Sequence, residues 1–162
     1  MYHETVSKIE TLLTESNCNY KKFEHEEVRT SFEANAVRPE YTLAQGAKAL
    51  IVRVKKNGGK SFAMVVVPGD KKFDTKKVRE ALDAKDIRFA TEDEVSEITN
   101  GVKPGGVPPF GNLWGLPMLC DQGVFENDTI IFNAGDRRVS IAVEVEEYRK
   151  VVQPQVEDVT SL

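Results

Sequence analysis

A glycine- and proline-rich stretch is the first candidate for chemistry in this sequence. Residues 101–117 read GVKPGGVPPFGNLWGLP and hold nine of the chain's eighteen Gly and Pro residues. Glycine lets backbone N–H groups approach a ligand closely, and proline fixes the shape of a loop by restricting φ. Such a loop can direct N–H donors at a carbonyl oxygen or an oxyanion without a charged side chain. A long structural connector is the alternative that composition leaves open.

Lys48 is the second candidate, because it begins a predicted strand on that strand's more apolar face. It shares parity with Leu50, Val52 and Val54, so its side chain should point toward the core or the mouth of a pocket. A lysine in that place meets a carboxylate partner, or a phosphate or carbonyl ligand. A lysine that extends from the end of a strand into solvent is an interpretation that the pattern supports equally.

Conventional catalytic sets are missing from the sequence. The two histidines are His3, near the terminus, and His25, on a polar strand where a surface position is expected. Cys18 and Cys120 have no metal-ligand spacing around them, and Cys120 lies in an apolar strand that is typical of a buried core thiol. No triad motif and no phosphate-binding loop occurs either. The chain therefore offers neither an obvious protein nucleophile nor a metal cluster.

Charge and composition narrow the classes of function. The chain has 162 residues, 40% of them hydrophobic and 30% charged, which is typical of one globular domain. Its net charge of −4 argues against a protein that coats DNA, although residues 1–80 hold 15 basic against 11 acidic side chains. No apolar run is long enough for a membrane span or resembles a signal peptide, so we expect a soluble, cytoplasmic protein.

Local signals then place the elements that must position these residues. Helical spacing predicts a helix over residues 4–15, and capping signals at Thr30, Asp74 and Thr91 predict the starts of three more. Two strong strands are predicted over residues 47–56 and 61–67, joined by a turn at 57–59, and the second should be central because it is apolar on both faces. Weaker signals predict strands over 20–27, 87–90, 117–120, 128–132 and 139–145 and a short helix near 146.

Interleaved helices and paired strands predict a single α+β domain with a mixed, curved β-sheet and flanking helices. We assign residues 1–150 to this domain and residues 151–162 to a C-terminal tail, because the sequence from Val151 onward lacks periodicity.

Several short motifs also occur in a characteristic order. They are TSFEA at 30–34, KALIV at 48–52, VPGD at 67–70, TNGVKPGGVPPFG at 99–111, LP at 116–117 and FNAG at 132–135. In these motifs, over roughly residues 4–150, the chain resembles the YbaK/ProX family of aminoacyl-tRNA deacylases. That family is related to the editing insertion domain of bacterial prolyl-tRNA synthetase. Its GxxxP pattern is present here as Gly105 to Pro109.

The resemblance implies a function and a set of site residues. It implies hydrolysis in trans of the ester between a wrong amino acid and the terminal adenosine of a tRNA, with tRNA-Pro as the expected carrier and prolyl-tRNA synthetase as a possible partner. No metal or cofactor is implied, and the ribose 2′-hydroxyl would help to activate water. The implied catalytic residues are Lys48 and Gly105. The implied substrate-binding residues are Phe23, Thr30, Gly106, Pro109, Asn133 and Ser140.

Departures from the family leave the substrate open. Ala49 and Asn133 stand where some members carry hydroxylated residues, Pro108 replaces a small polar residue, and Phe23 replaces a tyrosine of some members. The histidine of the synthetase-embedded domain is absent near Ser140. Alanine, cysteine, serine, threonine and other small residues all stay open as edited amino acids. A non-catalytic module that binds tRNA or a synthetase, and an enzyme acting on small aminoacyl esters or amides, are the alternative functions.

Overall fold

The computed structural model describes the backbone of residues 1–162 and all side chains except that of Ser31. Five α-helices flank the sheets: α1 (Glu4–Glu15), α2 (Ser31–Val37), α3 (Thr75–Ala81), α4 (Glu92–Thr99) and α5 (Val145–Val152). The predicted caps are confirmed, since the side chains of Thr30, Asp74 and Thr91 accept the backbone N–H three residues on. None of the described helices is both long and apolar enough to cross a bilayer.

Ten strands complete the fold, and they confirm the α+β class. They are β1 (Tyr20–Glu24), β2 (Ala47–Lys56), β3 (Gly59–Pro68), β4 (Lys72–Phe73), β5 (Asp86–Phe89), β6 (Met118–Asp121), β7 (Thr129–Asn133), β8 (Val139–Glu144), β9 (Gln155–Glu157) and β10 (Thr160–Ser161). The strands divide among a mixed sheet of order β5-β2-β3-β6-β9, a sheet of order β1-β8-β7 and the pair β10-β4. An isolated bridge between Gly46 and Ile131 joins the two larger sheets.

The hairpin of β2 and β3 separates two hydrophobic clusters and confirms that β3 is central. Side chains of one parity, such as Ala49 and Ile51, pack toward the β1-β8-β7 sheet and α1. Side chains of the other parity, such as Val52 and Val54, pack toward α3. Because both faces are covered there, the central parts of the two strands, residues 49–52 and 62–67, are apolar, as strands buried on both sides generally are. The start of β2 and the end of β7 thereby meet near Gly46, where the cavity described below opens.

The C-terminal segment differs from the sequence-based expectation of a tail. Val151 and Val152 complete α5, β9 pairs parallel with β6, and β10 pairs antiparallel with β4. The fully buried Asp121 carboxylate holds this segment by accepting the Val159 N–H at 2.9 Å and the Thr160 hydroxyl at 3.1 Å. Strands of three and two residues are too short to show a period, so their pairing partners, distant in sequence, decide their structure.

Candidate active site

A cavity of about 260 Å³ lies between the start of β2, the end of β7, the N-terminal end of α2 and the turn at Pro104–Gly106. Of the residues predicted from sequence, the structure brings four to its walls. These are Thr30, Lys48, Gly105 and Asn133. Phe23, Gly106, Pro109 and Ser140 do not line it.

Lys48 stands exposed at the mouth of the cavity. It is the second residue of β2 and pairs in register with Val67 of β3. Its side chain lies on the predicted face with Leu50 and Val52, at the end where the packing of that face stops. Among the described side chains no carboxylate forms an ion pair with Lys48. Its ammonium group is therefore available to a ligand, as the sequence suggested for a lysine at a pocket mouth.

Gly105 places a backbone donor at the cavity wall. Its carbonyl oxygen accepts a hydrogen bond of 2.7 Å from Asn133 Nδ2, which ties the loop to the end of β7. The amides of Gly106 and Val107 donate to Lys103 O and Pro104 O. Proline has no N–H, and within the described part of the chain the Gly105 N–H has no acceptor. The loop thus offers one open backbone donor at the cavity wall rather than a row of them.

Gly106 and Pro109 support this loop from behind. Gly106 is buried, its carbonyl accepts the Gly135 N–H at 2.8 Å, and it lines a separate cleft beside the N-terminus. The Pro109 carbonyl accepts a hydrogen bond of 2.7 Å from the Tyr148 hydroxyl, which is fully buried in the main cluster. Both residues fix the loop by its backbone contacts rather than by touching the cavity.

Ser140 organises a hydrogen-bond network under the cavity. Its hydroxyl oxygen lies 2.9 Å from Arg38 Nη1, 2.7 Å from His25 Nε2 and 3.4 Å from Asn133 Oδ1. His25 Nδ1 lies 2.7 Å from the Glu26 carbonyl, so the proton of Nδ1 points there. The His25 imidazole, directly after β1, therefore reaches Ser140, although the sequence suggested a surface histidine.

Thr30 lies in the wall of the cavity, whereas Phe23 lies outside it. Thr30 caps α2 by accepting the Glu33 N–H at 3.0 Å, and the same residue lines the cavity. Phe23 pairs in register with Ser140 and packs edge-on against Tyr41, with ring centroids 5.8 Å apart. The capping role of Thr30 was visible in the sequence, whereas the Phe23–Tyr41 contact joins segments without any shared local pattern.

The walls of the cavity are strongly cationic, which sequence reasoning missed. Four of the lining side chains carry positive charge and none carries negative charge: Arg29, Arg38, Lys48 and Arg137. Arg29 is exposed and pairs with Glu27 at 3.6 Å. Arg38 is 8% exposed, and burial lowers the pKa of its guanidinium to about 10. Nothing in the local sequence separates Arg38 and Arg137 from the other basic residues of the chain.

A groove of about 500 Å³ continues from the mouth of the cavity and shares Lys48, Leu50 and Pro104 with it. Lys71 and Lys72 flank the groove, and the rings of Phe73 and Phe89 lie in it with centroids 4.9 Å apart. Phe89 is 53% exposed, which is unusual for a large aromatic side chain.

The remaining residues considered from the sequence, Cys120 and Asp121, support the fold and do not line the cavity. Cys120 is fully buried, as predicted, and burial raises the pKa of its thiol to about 12. Asp121 is committed to the C-terminal segment. Over the described residues, no three His, Cys, Asp or Glu side chains cluster in a way that could hold a metal ion.

Comparison with known proteins gives a consistent assignment. The family model of the aminoacyl-tRNA editing domain matches residues 25–151. The multifunctional Ser/Thr-tRNA deacylase ProXp-y of Escherichia coli K12 is 29% identical over 94% of this chain and 90% of that protein. The prolyl-tRNA editing protein ProX of Acetoanaerobium sticklandii is 26% identical over 87% of this chain and 86% of that protein.

Further matches concern part of the chain or the fold alone. The proline–tRNA ligase of Lactobacillus gasseri is 39% identical over 38% of this chain and 11% of the ligase. A crystal structure assigned as a candidate trans-editing enzyme for prolyl-tRNA synthetase superposes with a TM-score of 0.83 at 22% identity and covers 100% of both chains. The family model spans most of the chain and includes the cavity loop and β2. The chain therefore belongs to the aminoacyl-tRNA editing domain family.

Proposed function

We propose that this protein hydrolyses mischarged aminoacyl-tRNA in trans, at the ester between a small amino acid and the terminal adenosine. The observation that carries the proposal is the cavity itself, with four cationic side chains, no acidic one and an open backbone donor at Gly105. The whole chain has a net charge of −4, so this concentration of positive charge is local. Positive charge attracts the phosphates of RNA. Because the positive charge is concentrated at this one cavity, we expect the protein to bind the end of an RNA chain rather than the length of a duplex.

The geometry supports a division of roles between Gly105 and Lys48. Water adds to the ester carbonyl, the carbonyl oxygen gains negative charge, and the bond to the ribose oxygen then breaks to release the amino acid. We assign the open Gly105 N–H the role of donor to that oxygen, and removal of one such donor typically costs about 10²–10³-fold in rate. We assign Lys48, an exposed residue of the cavity lining, the role of holding the terminal nucleotide or polar groups of the aminoacyl moiety.

The proton-handling group must come largely from the substrate. The cavity is lined by cationic, amide, hydroxyl and apolar side chains, with no carboxylate, imidazole or thiol among the described ones. The Thr30 hydroxyl is already engaged with Glu33. The ribose hydroxyl next to the ester is within reach by covalent geometry, so we assign it the role of positioning or activating the water. The same lining lacks the ligands that a catalytic metal prefers, which supports a metal-independent reaction.

We place the nucleotides that precede the terminal adenosine in the groove of Phe73 and Phe89. The groove is continuous with the cavity, and its lysines and aromatic faces match single-stranded RNA, which combines phosphates with stacking bases. The segment of prolyl-tRNA ligase that this chain matches supports tRNA-Pro as a carrier and the synthetase as a partner.

A panel of mischarged tRNAs tests the proposal. Single-turnover deacylation is measured with alanine, serine, threonine and cysteine on tRNA-Pro and on their own tRNAs, with and without EDTA. We expect hydrolysis of at least one small aminoacyl ester and no loss of rate with EDTA. Tight tRNA binding without hydrolysis would instead indicate a non-catalytic module. Equal hydrolysis of a minimal aminoacyl-adenosine would show that the tRNA body is dispensable.

A further inference from the structure

A buried positive charge in the cavity has no role in the chemistry described so far. Arg38 is the C-cap residue of α2 and is 8% exposed. Its side chain makes one hydrogen bond to the described part of the chain, from Nη1 to Ser140 Oγ at 2.9 Å, and no described carboxylate pairs with it. Buried charges are costly unless they are paired, so proteins rarely leave one in this state without a function.

The unused donors of Arg38 are directed at the cavity. A guanidinium carries five N–H donors and no acceptor, and one of the five is bonded here. The other terminal nitrogen, Nη2, would lie 3.6 Å from a Cβ atom on Gly46, and Gly46 lines the cavity. The glycine therefore keeps the wall beside Nη2 open. The guanidinium stays charged at neutral pH, since burial lowers its pKa only to about 10.

The network under the cavity holds Arg38 in this orientation. The Ser140 oxygen accepts from Nη1 and is itself fixed by His25 and Asn133. Asn133 also donates to the Gly105 carbonyl, so the arginine and the loop donor are braced by the same side chain. Donors held by packed neighbours lose little entropy when a ligand binds.

We propose that Arg38 forms a subsite for an oxygen atom on the side chain of the bound aminoacyl group. It thereby selects hydroxylated aminoacyl groups over apolar groups of the same size. The inference rests on the proposed function. Of the four cationic side chains that line the cavity only Arg38 is buried, whereas Lys48 is exposed, so we assign the side chain of the aminoacyl group to Arg38 and the RNA to the Lys48 side. The Arg38 guanidinium repels the α-ammonium group of the aminoacyl moiety. Because it carries only hydrogen-bond donors, it selects a side-chain oxygen that can accept a hydrogen bond.

The first test measures binding, so it does not depend on hydrolysis. The probes are adenosines that carry seryl or alanyl groups through a 3′-amide in place of the ester, and affinities are measured by calorimetry. We expect the wild-type chain to bind the seryl probe about 10- to 100-fold more tightly than the alanyl probe, as a hydrogen bond to a charged group allows. The Arg38→Met variant should lose this preference, and Arg38→Lys should keep part of it.

The control is Arg53→Met, which removes a largely buried arginine of β2 that pairs with Asp86 and lies outside the cavity. It should leave the seryl preference unchanged. Thermal melting is recorded for each variant. A wild-type chain without seryl preference, or a preference that survives in folded Arg38→Met, overturns the subsite. A large drop in melting temperature for both Arg38→Met and Arg38→Lys also overturns it, because Arg38 would then be a structural brace.

A parallel assay separates this inference from the proposed function. Single-turnover deacylation is compared for seryl and alanyl esters on the same tRNA. We expect Arg38→Met to slow the seryl reaction by about tenfold or more and the alanyl reaction by much less. Absence of any hydrolysis by the wild-type chain would refute the proposed function. Normal wild-type activity with an unchanged seryl-to-alanyl ratio in Arg38→Met would overturn the subsite alone.

Discussion

Replacement of Gly105 by alanine gives the sharpest test of the loop donor. A Cβ atom at this position would lie 3.2 Å from the Arg29 carbonyl oxygen and 3.2 Å from Arg137 Nε. The arginine side chain can move aside, but the carbonyl belongs to the backbone that leads into α2. The φ angle of Gly105 lies outside the left-handed region, so the expected effect is steric and not conformational.

The structure sets the size of the expected effect. Contacts of 3.2 Å require the loop to shift by a few tenths of an ångström. One extra methyl group in a tight site costs about 1–3 kcal/mol of folding free energy. The lower entropy of the unfolded alanine chain returns about 0.4–1 kcal/mol. We therefore expect a loss of about 1 kcal/mol in the free energy of unfolding. The rate should fall by about 10- to 100-fold, because the N–H donor is displaced from the carbonyl that it serves.

The assay combines urea unfolding with single-turnover deacylation of the best substrate at saturating protein. Gly58→Ala is the matched control, because a Cβ atom on Gly58 in the β2–β3 turn meets nothing within 4 Å. It should leave the rate unchanged and, through the lower entropy of the unfolded chain, raise the free energy of unfolding by about 0.4–1 kcal/mol. A folded Gly105→Ala protein within about threefold of the wild-type rate would refute the role of the loop donor. So would a rate that falls only in proportion to the unfolded fraction, since the loop would then be structural.

Three further predictions address the other parts of the proposed site. Lys48→Ala should lower the single-turnover rate by about 100-fold and leave circular dichroism unchanged, because the exposed lysine supports no packing; near-normal activity would exclude its role. A substrate whose terminal adenosine lacks the 2′-hydroxyl should bind but react about 10²–10⁴-fold more slowly; equal rates would point to a protein base, with His25 as the first residue to replace because it reaches Ser140 beside the cavity. Phe89→Ala should weaken the binding of charged tRNA, while the salt dependence of the affinity should stay nearly that of the wild type, because the variant loses a stacking surface and no charge. If Phe89→Ala weakened the binding of a minimal aminoacyl-adenosine equally, the placement of the RNA in the groove would be contradicted.

The sequence alone determined the elements whose signals are local. The starts of α2, α3 and α4 follow from Thr30, Asp74 and Thr91, whose side chains accept N–H groups three residues away. The apolar run of β3 predicted a central strand, because only a strand covered on both faces can be apolar throughout. Lys48 and the 101–117 loop were also selected from local signals: a lysine on the apolar face of a strand, and a concentration of glycine and proline in one loop. Their chemical roles stay predictions.

Tertiary structure alone decided which residues share the cavity. Arg38 reaches Ser140 across 102 positions of sequence, His25 reaches it across 115, and Asn133 reaches Gly105 across 28. No pattern within a few residues encodes such distances. For the same reason the predicted tail became β9 and β10, since the Asp121 carboxylate that anchors them lies on β6. Short-range hydrogen bonds and periodicity specify helices and strands, whereas a site assembled from long-range contacts depends on how those elements pack.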